Sequence, residues 1–150
     1  VNLKRKHFKY IFENDTDFKL IDGVLDLIKD YIKNDLVLIL ASSASMVTIN
    51  NIFKRFNLDK YFIAKLSGAD LQASKPHPEI FIKAAESSGF KKDECIVIED
   101  STNGVKAAKA AGIYCIGFDS IHSKNQDYSN ADLIVNELSL IKYDKIKNVI

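Results

Sequence analysis

Short apolar runs alternate with segments of helical periodicity along this 150-residue chain, and that alternation restricts its possible folds more than any other feature. LVLILA (36–41) is short and entirely apolar, as expected of a parallel strand buried on both faces. YFIAKL (61–66), CIVIE (95–99), IYCIGF (113–118) and ADLIV (131–135) read as further strands. Val24, Leu25, Leu27, Ile28, Tyr31 and Ile32 recur at helical spacing, with Asp22-Gly23 at the start and Asn34-Asp35 at the end. Val47, Ile49, Ile52, Phe53 and Phe56 mark one face of a second helix. Ile80, Phe81, Ala84 and Ala85 mark a third, with Pro78 suited to its first turn and Gly89 at its stop; NGVKAAKAAG is a fourth, closed by Gly112. Strands joined by helical crossovers predict an α/β fold, a doubly wound Rossmann-like parallel sheet with ligands at the carboxyl ends of the strands.

Composition narrows the partner. Apolar residues at 47 % and charged residues at 27 % suit one globular domain with a single core. Lys plus Arg (21) nearly balances Asp plus Glu (20), which gives no electrostatic reason to expect nucleic acid or an anionic membrane. The longest apolar run is far below the ~20 residues that span a bilayer, and a cytoplasmic, monomeric protein with a small-molecule partner is expected. Cys95 and Cys115 lie in separate apolar runs and read as two small buried hydrophobes rather than a metal knuckle or disulfide. His7, His77 and His122 show no metal-ligand spacing.

Chemistry is expected just after strands. Ser42, with Ser43, stands after the first run, where a hydroxyl and helix N-terminal amides could hold an anion; a plain helix cap is the alternative. Lys75, in ASKPHPE, could neutralise a phosphate or sit idle in solvent. Glu99-Asp100 directly follow apolar strand residues, where paired carboxylates need a cation or hydrogen bonds to compensate; hard oxygens of this kind suit Mg2+. Asn103, at the start of the helix NGVKAAKAAG, joins Ser42, Ser43 and Lys75 as a substrate-binding candidate. An anion hole, a positive charge and a metal site at three successive strand ends resemble a phosphoryl-transfer site.

LILASSAS, SGADLQASKPHPEIFIKAAE, IVIEDSTNGVKAAKAAGI and SKNQDYSNADLIV together resemble the haloacid dehalogenase-like phosphatases and phosphomutases, in the branch similar to beta-phosphoglucomutase. The resemblance runs from about residue 20 to residue 140. It implies Mg2+-dependent phosphoryl transfer through an aspartyl-phosphate, with a small phosphorylated metabolite as substrate. It assigns Ser42 to the transferring phosphoryl group, Lys75 to that phosphate and the nucleophile, and Glu99 and Asp100 to Mg2+. The family's first motif, Asp-x-Asp-Gly-Thr or Val, is not matched: LIDGV has Leu20 at the nucleophile position, and Asp22-Gly23-Val24 lies where a helix-start tripeptide is common. Asp22 is therefore read as a helix-start residue.

The resemblance also implies that residues 1–18 are the last helix of a small helical cap, with Arg5 and Lys6 as weak candidates for substrate contact. Residues 19–150 would form the core domain without its first, central strand. A carboxyl-terminal portion of a longer protein is expected, inactive alone and marginally stable, with the missing segment as intramolecular partner. Loss of a strand of ~5 residues removes several side chains worth roughly 1.5–3 kcal/mol each, against a domain stability of only ~5–15 kcal/mol. A phosphatase acting on a sugar phosphate is the leading expectation, a phosphomutase its variant, and a non-catalytic phosphate- and metal-binding domain the alternative of another class. A dinucleotide-binding oxidoreductase is disfavoured because no Gly-x-Gly-x-x-Gly follows a strand.

Overall fold

Five short parallel strands and their crossover helices make up the computed structural model, which describes residues 15–149. In chain order these are α1 (Val24–Lys33), β1 (Ile39–Ser42), α2 (Met46–Phe56), β2 (Ala64–Ser67), α3 (Glu79–Ser88), β3 (Ile96–Glu99), α4 (Thr102–Ala111), β4 (Tyr114–Phe118), β5 (Leu133–Val135) and α5 (Tyr143–Ile146). Of the cap helix expected over residues 1–18, residues 1–14, with Arg5, Lys6 and His7, lie outside the described residues, and residues 15–18 are not helical. Residues 15–18 form a turn, held by Arg55, whose guanidinium donates to the Asp15 carbonyl at 2.7 Å and stacks 5.2 Å from the Phe18 ring. No helix among the described residues is long and apolar enough to cross a membrane.

The strand layer is in two parts. β1 pairs with β2, Ile39 opposite Ala64 and Ser42 opposite Ser67; β3, β4 and β5 form a separate parallel sheet in that order. Helices bridge the division on both faces. On one face, Leu27 and Tyr31 of α1 pack with Ile116, Phe118 and Val135 of β4 and β5, while Ile28 of the same helix packs with Leu38 and Leu40 beside β1. On the other, α3 and α4 bring Ile80, Phe81 and Val105 against Val97 and Cys115, with Ala41 and Leu66 alongside. Each large side chain so buried contributes roughly 1.5–3 kcal/mol.

The facing edges of β1 and β3 share no ladder. Exposure follows: no residue of β1 is fully buried, whereas four of the five in β4 are, and Ile98 of β3 is 38 % exposed. An open parallel edge carries backbone donors and acceptors with no strand to satisfy them.

Several boundaries differ from those expected. β1 begins at Ile39, because Leu36 to Leu38 lead into it with Val37 40 % exposed, and Ser42 is the strand's last residue rather than the first after it. Residues 59–61 form a short 3-10 turn, so β2 starts at Ala64. Val47 is 71 % exposed and does not share the α2 face with Ile49 and Phe53, since an i, i+4 pair aligns on a helix and a residue two places earlier does not. Cys115 is fully buried as expected, but Cys95 is half-buried, its thiol 3.2 Å from the Lys91 carbonyl. α3 and α4 end at Gly89 and Gly112 in left-handed conformation, as the sequence anticipates.

Candidate active site

Lys75 joins the two halves of the strand layer. Its side chain, 9 % exposed, reaches from the loop after β2 to the rim of both sheets. The ammonium donates to the Ala41 carbonyl of β1 at 3.2 Å and forms an ion pair with Glu99 Oε1 at the end of β3. The ring of Phe81 lies 4.7 Å from Nζ. A lysine so enclosed is not an idle surface charge. Charge is tolerated here because each group supplies the other's partner.

Glu99, 8 % exposed, has both oxygens engaged: Oε1 with Lys75, and Oε2 as acceptor from Ser101 Oγ at 3.0 Å. Ser101 is also the α4 N-cap, its Oγ accepting from Gly104 N at 3.1 Å. Gly104 allows the first turn of α4 to lie against this carboxylate, since a Cβ there would overlap Glu99. Asp100 is exposed. Its Oδ2 accepts from Ser123 Oγ at 2.5 Å and its carbonyl from the Tyr128 hydroxyl at 3.0 Å. Oδ1 has no hydrogen-bond partner among the described residues.

Ser42 closes the turn after β1, its Oγ accepting from Ala44 N at 3.1 Å. It does not cap α2. Ser45 does, accepting from Thr48 N at 3.4 Å, so the capping alternative for Ser42 falls away. A cavity of about 260 Å³ opens at this rim, lined by Ser43, Lys75, Ser101, Thr102, Asn103 and Gln126. Of the expected residues, Ser43, Lys75 and Asn103 line it together. Ser42, Glu99 and Asp100 adjoin it, through chain neighbours or the Lys75 pair. The amino end of α4 adds the positive pole of its dipole.

The donor set fits Mg2+ of the kind held by one or two carboxylates plus phosphate and water oxygens. Asp100 offers a free oxygen, and Glu99 would exchange a Lys75 or Ser101 contact. No group of three His, Cys, Asp or Glu residues converges among the described residues.

The model of the family described as haloacid dehalogenase-like hydrolase matches residues 2–118, more than half of the chain. The chain belongs to this family. A phosphorylated carbohydrates phosphatase of Thermotoga maritima is 32 % identical over 128 residues, covering 85 % of this chain and 58 % of that protein. The bifunctional riboflavin kinase/FMN phosphatase of Arabidopsis thaliana is 34 % identical over 130 residues, covering 85 % of this chain and 34 % of that one. The CbbY structure from Rhodobacter sphaeroides in complex with phosphate superposes with a TM-score of 0.87 at 22 % identity, covering 97 % of this chain and 66 % of that chain. Beta-phosphoglucomutase from Clostridium difficile gives 0.82 at 23 %, with 97 % and 63 % covered; at these identities the likeness is one of fold. The chain spans between about a third and three fifths of the length of these two curated relatives.

Within this haloacid dehalogenase-like core, Asp22 keeps the role read for it. It precedes α1, faces Lys19 at 3.7 Å in solvent, and lines a separate crevice with Phe118, Ser120 and Glu137. His77 accepts from Glu79 N at 3.3 Å, and His122 is exposed. Ser101, Gly104, Ser123 and Gln126 also belong to the site, and none is among the residues expected from sequence. The first two carry a local signal, a serine cap and a glycine in a first turn where helix propensity disfavours it. The other two carry none, because their contacts with residues 100–102 span 23 and 24 positions of chain.

Proposed function

We propose that the protein to which this chain belongs hydrolyses a small phosphomonoester, of the phosphorylated sugar class, in a Mg2+-dependent reaction. The observation that carries this is Lys75, whose buried ammonium links Ala41 of β1 to Glu99 of β3 at the mouth of a polar cavity. The phosphoryl group would lie in that cavity. Ser42 and Ser43 would donate to its oxygens, Lys75 would neutralise it, and Asn103 at the start of α4 would orient it. Glu99 holds Lys75 in place, and Asp100, with Glu99, would hold the metal. Bound there, Mg2+ would neutralise phosphate charge and so favour attack at phosphorus.

The attacking carboxylate would come from a strand seated between β1 and β3. Support for this is the absence of a ladder between β1 and β3, whose ends both meet Lys75 while helices pack against both sheets. Attack forms the phosphorus–oxygen bond to that carboxylate and breaks the bond to the leaving alcohol, which takes a proton; water then cleaves the acyl phosphate. Residues 15–149 without such a strand would bind phosphate but not turn it over.

The test is phosphate release from a panel of sugar phosphates by the protein expressed from the complete reading frame, with Mg2+ and with EDTA. Release that needs the metal and falls at least ~100-fold in Lys75→Ala is expected, in line with the loss of one charge-stabilising group. Phosphate binding without turnover would make this a binding domain. Turnover indifferent to Lys75 would remove the site assignment.

A further inference from the structure

The loop between β4 and β5 reaches back to the candidate metal site and makes four hydrogen bonds to residues 100–102. Ser123 Oγ donates to Asp100 Oδ2 at 2.5 Å, and the Tyr128 hydroxyl donates to the Asp100 carbonyl at 3.0 Å. Two residues on, Thr102 N donates to Gln126 Oε1 at 2.8 Å, while Asp127 N donates to Thr102 Oγ1 at 2.7 Å. The loop braces itself too: Gln126 Nε2 donates to the Lys124 carbonyl at 3.1 Å and Ser129 N to Asp127 Oδ1 at 2.9 Å. Tyr128 is 7 % exposed and sits over Gly117 of β4, where an added Cβ would come within 3.1 Å of Tyr128 Cβ.

Without this loop the Asp100 carboxylate would turn freely. It is solvent-exposed, and its one side-chain partner among the described residues is Ser123. A hydroxyl on Oδ2 pins the plane of the carboxylate and leaves Oδ1 for a cation. The phenol on the carbonyl fixes the backbone from which that carboxylate projects. Hydrogen-bonded supports of this kind orient metal ligands and raise affinity by restricting them before the ion arrives.

We infer that Ser123 and Tyr128 are positioning residues, which hold Asp100 in the orientation that binds the divalent cation. This rests on the assignment of Asp100 to the metal under the proposed function. The probe is Mn2+, standing in for Mg2+, titrated into the protein expressed from the complete reading frame in inorganic phosphate, with free Mn2+ read by electron paramagnetic resonance. Ser123→Ala should weaken Mn2+ by roughly 10–100-fold, the usual cost of losing a ligand's outer support. Ser123→Thr, which keeps the hydroxyl, should restore most of the affinity. Tyr128→Phe keeps the ring over Gly117 and should also weaken the ion. Melting of the metal-free protein should stay unchanged in Ser123→Ala and Ser123→Thr.

Equal Mn2+ affinity in the parent chain and Ser123→Ala would overturn the positioning role and leave the metal assignment standing. A parent chain that takes no Mn2+ would overturn both. Affinity and metal-free melting falling together, with Ser123→Thr no better than Ser123→Ala, would make the loop merely structural and likewise refute the inference.

Discussion

Lys75 and Glu99 are a pair in which neither charge has a place without the other. Removing one partner of a buried pair costs about 3–5 kcal/mol, while replacing both with apolar groups is often neutral. Lys75→Met should therefore be strongly destabilising in urea unfolding, and adding Glu99→Gln should recover part of the loss; a double variant no more stable than the single one would mean that the pair is not coupled. Gly104 gives a test of sign. Helix propensity alone makes Gly104→Ala stabilising by about 1 kcal/mol, but the overlap of its Cβ with Glu99 requires a loss instead. Cys115 is testable by mass spectrometry. Burial, then the negative charges of Glu99 and Asp132, push its thiol up to about 12. At pH 8 it stays protonated, so iodoacetamide should modify the half-buried Cys95 first and leave Cys115 intact until the chain unfolds.

Among the elements, β5 is the shortest strand, and Asp132 before it does much of the anchoring. Asp132 N donates to the Cys115 carbonyl at 2.8 Å, Cys115 N donates to Asp132 Oδ2 at 2.7 Å, and Lys109 of α4 lies 2.6 Å from that oxygen. Burial works against ionisation of this carboxyl, but Lys109 and the Cys115 amide outweigh it and hold the group below the ordinary carboxylate range. A depressed value means stability that is present above the unfolded value near pH ~4 and lost as pH falls through the folded one. Asp132→Asn should cost about 1–2 kcal/mol at neutral pH, and thermal melting should show the gap to the parent closing below pH ~4; a gap independent of pH would contradict this. The elements themselves were largely legible in the sequence. Apolar runs and helical spacing located all five strands and four helices. What shifted was local: β1 starts three residues later than LVLILA, because only from Ile39 does the chain run alongside β2. Val47 points away from the core, and nothing local in the sequence says which side of α2 meets the sheet.

For the molecule as a whole, the division of the strand layer is the central fact. The missing first motif hinted at it, yet no local pattern in the chain says that β1 and β3 stay unpaired while helices bridge them on both faces. That depends on α1 packing Leu27 toward one sheet and Ile28 toward the other. Ser43, Lys75 and Asn103 could be brought together from sequence because each follows a strand, and parallel strands deliver their carboxyl ends to one rim. Gln126 could not, because a loop's path across the rim has no period to read. The most direct measurement is a titration of the 15N-labelled chain with inorganic phosphate and Mg2+, followed by amide shifts. Saturable changes centred on Ser43, Lys75, Asn103 and Gly104 are expected, and they should be lost in the Lys75→Met/Glu99→Gln double variant. Changes centred on the crevice beside Asp22, or a response that the double variant leaves intact, would contradict the site assignment.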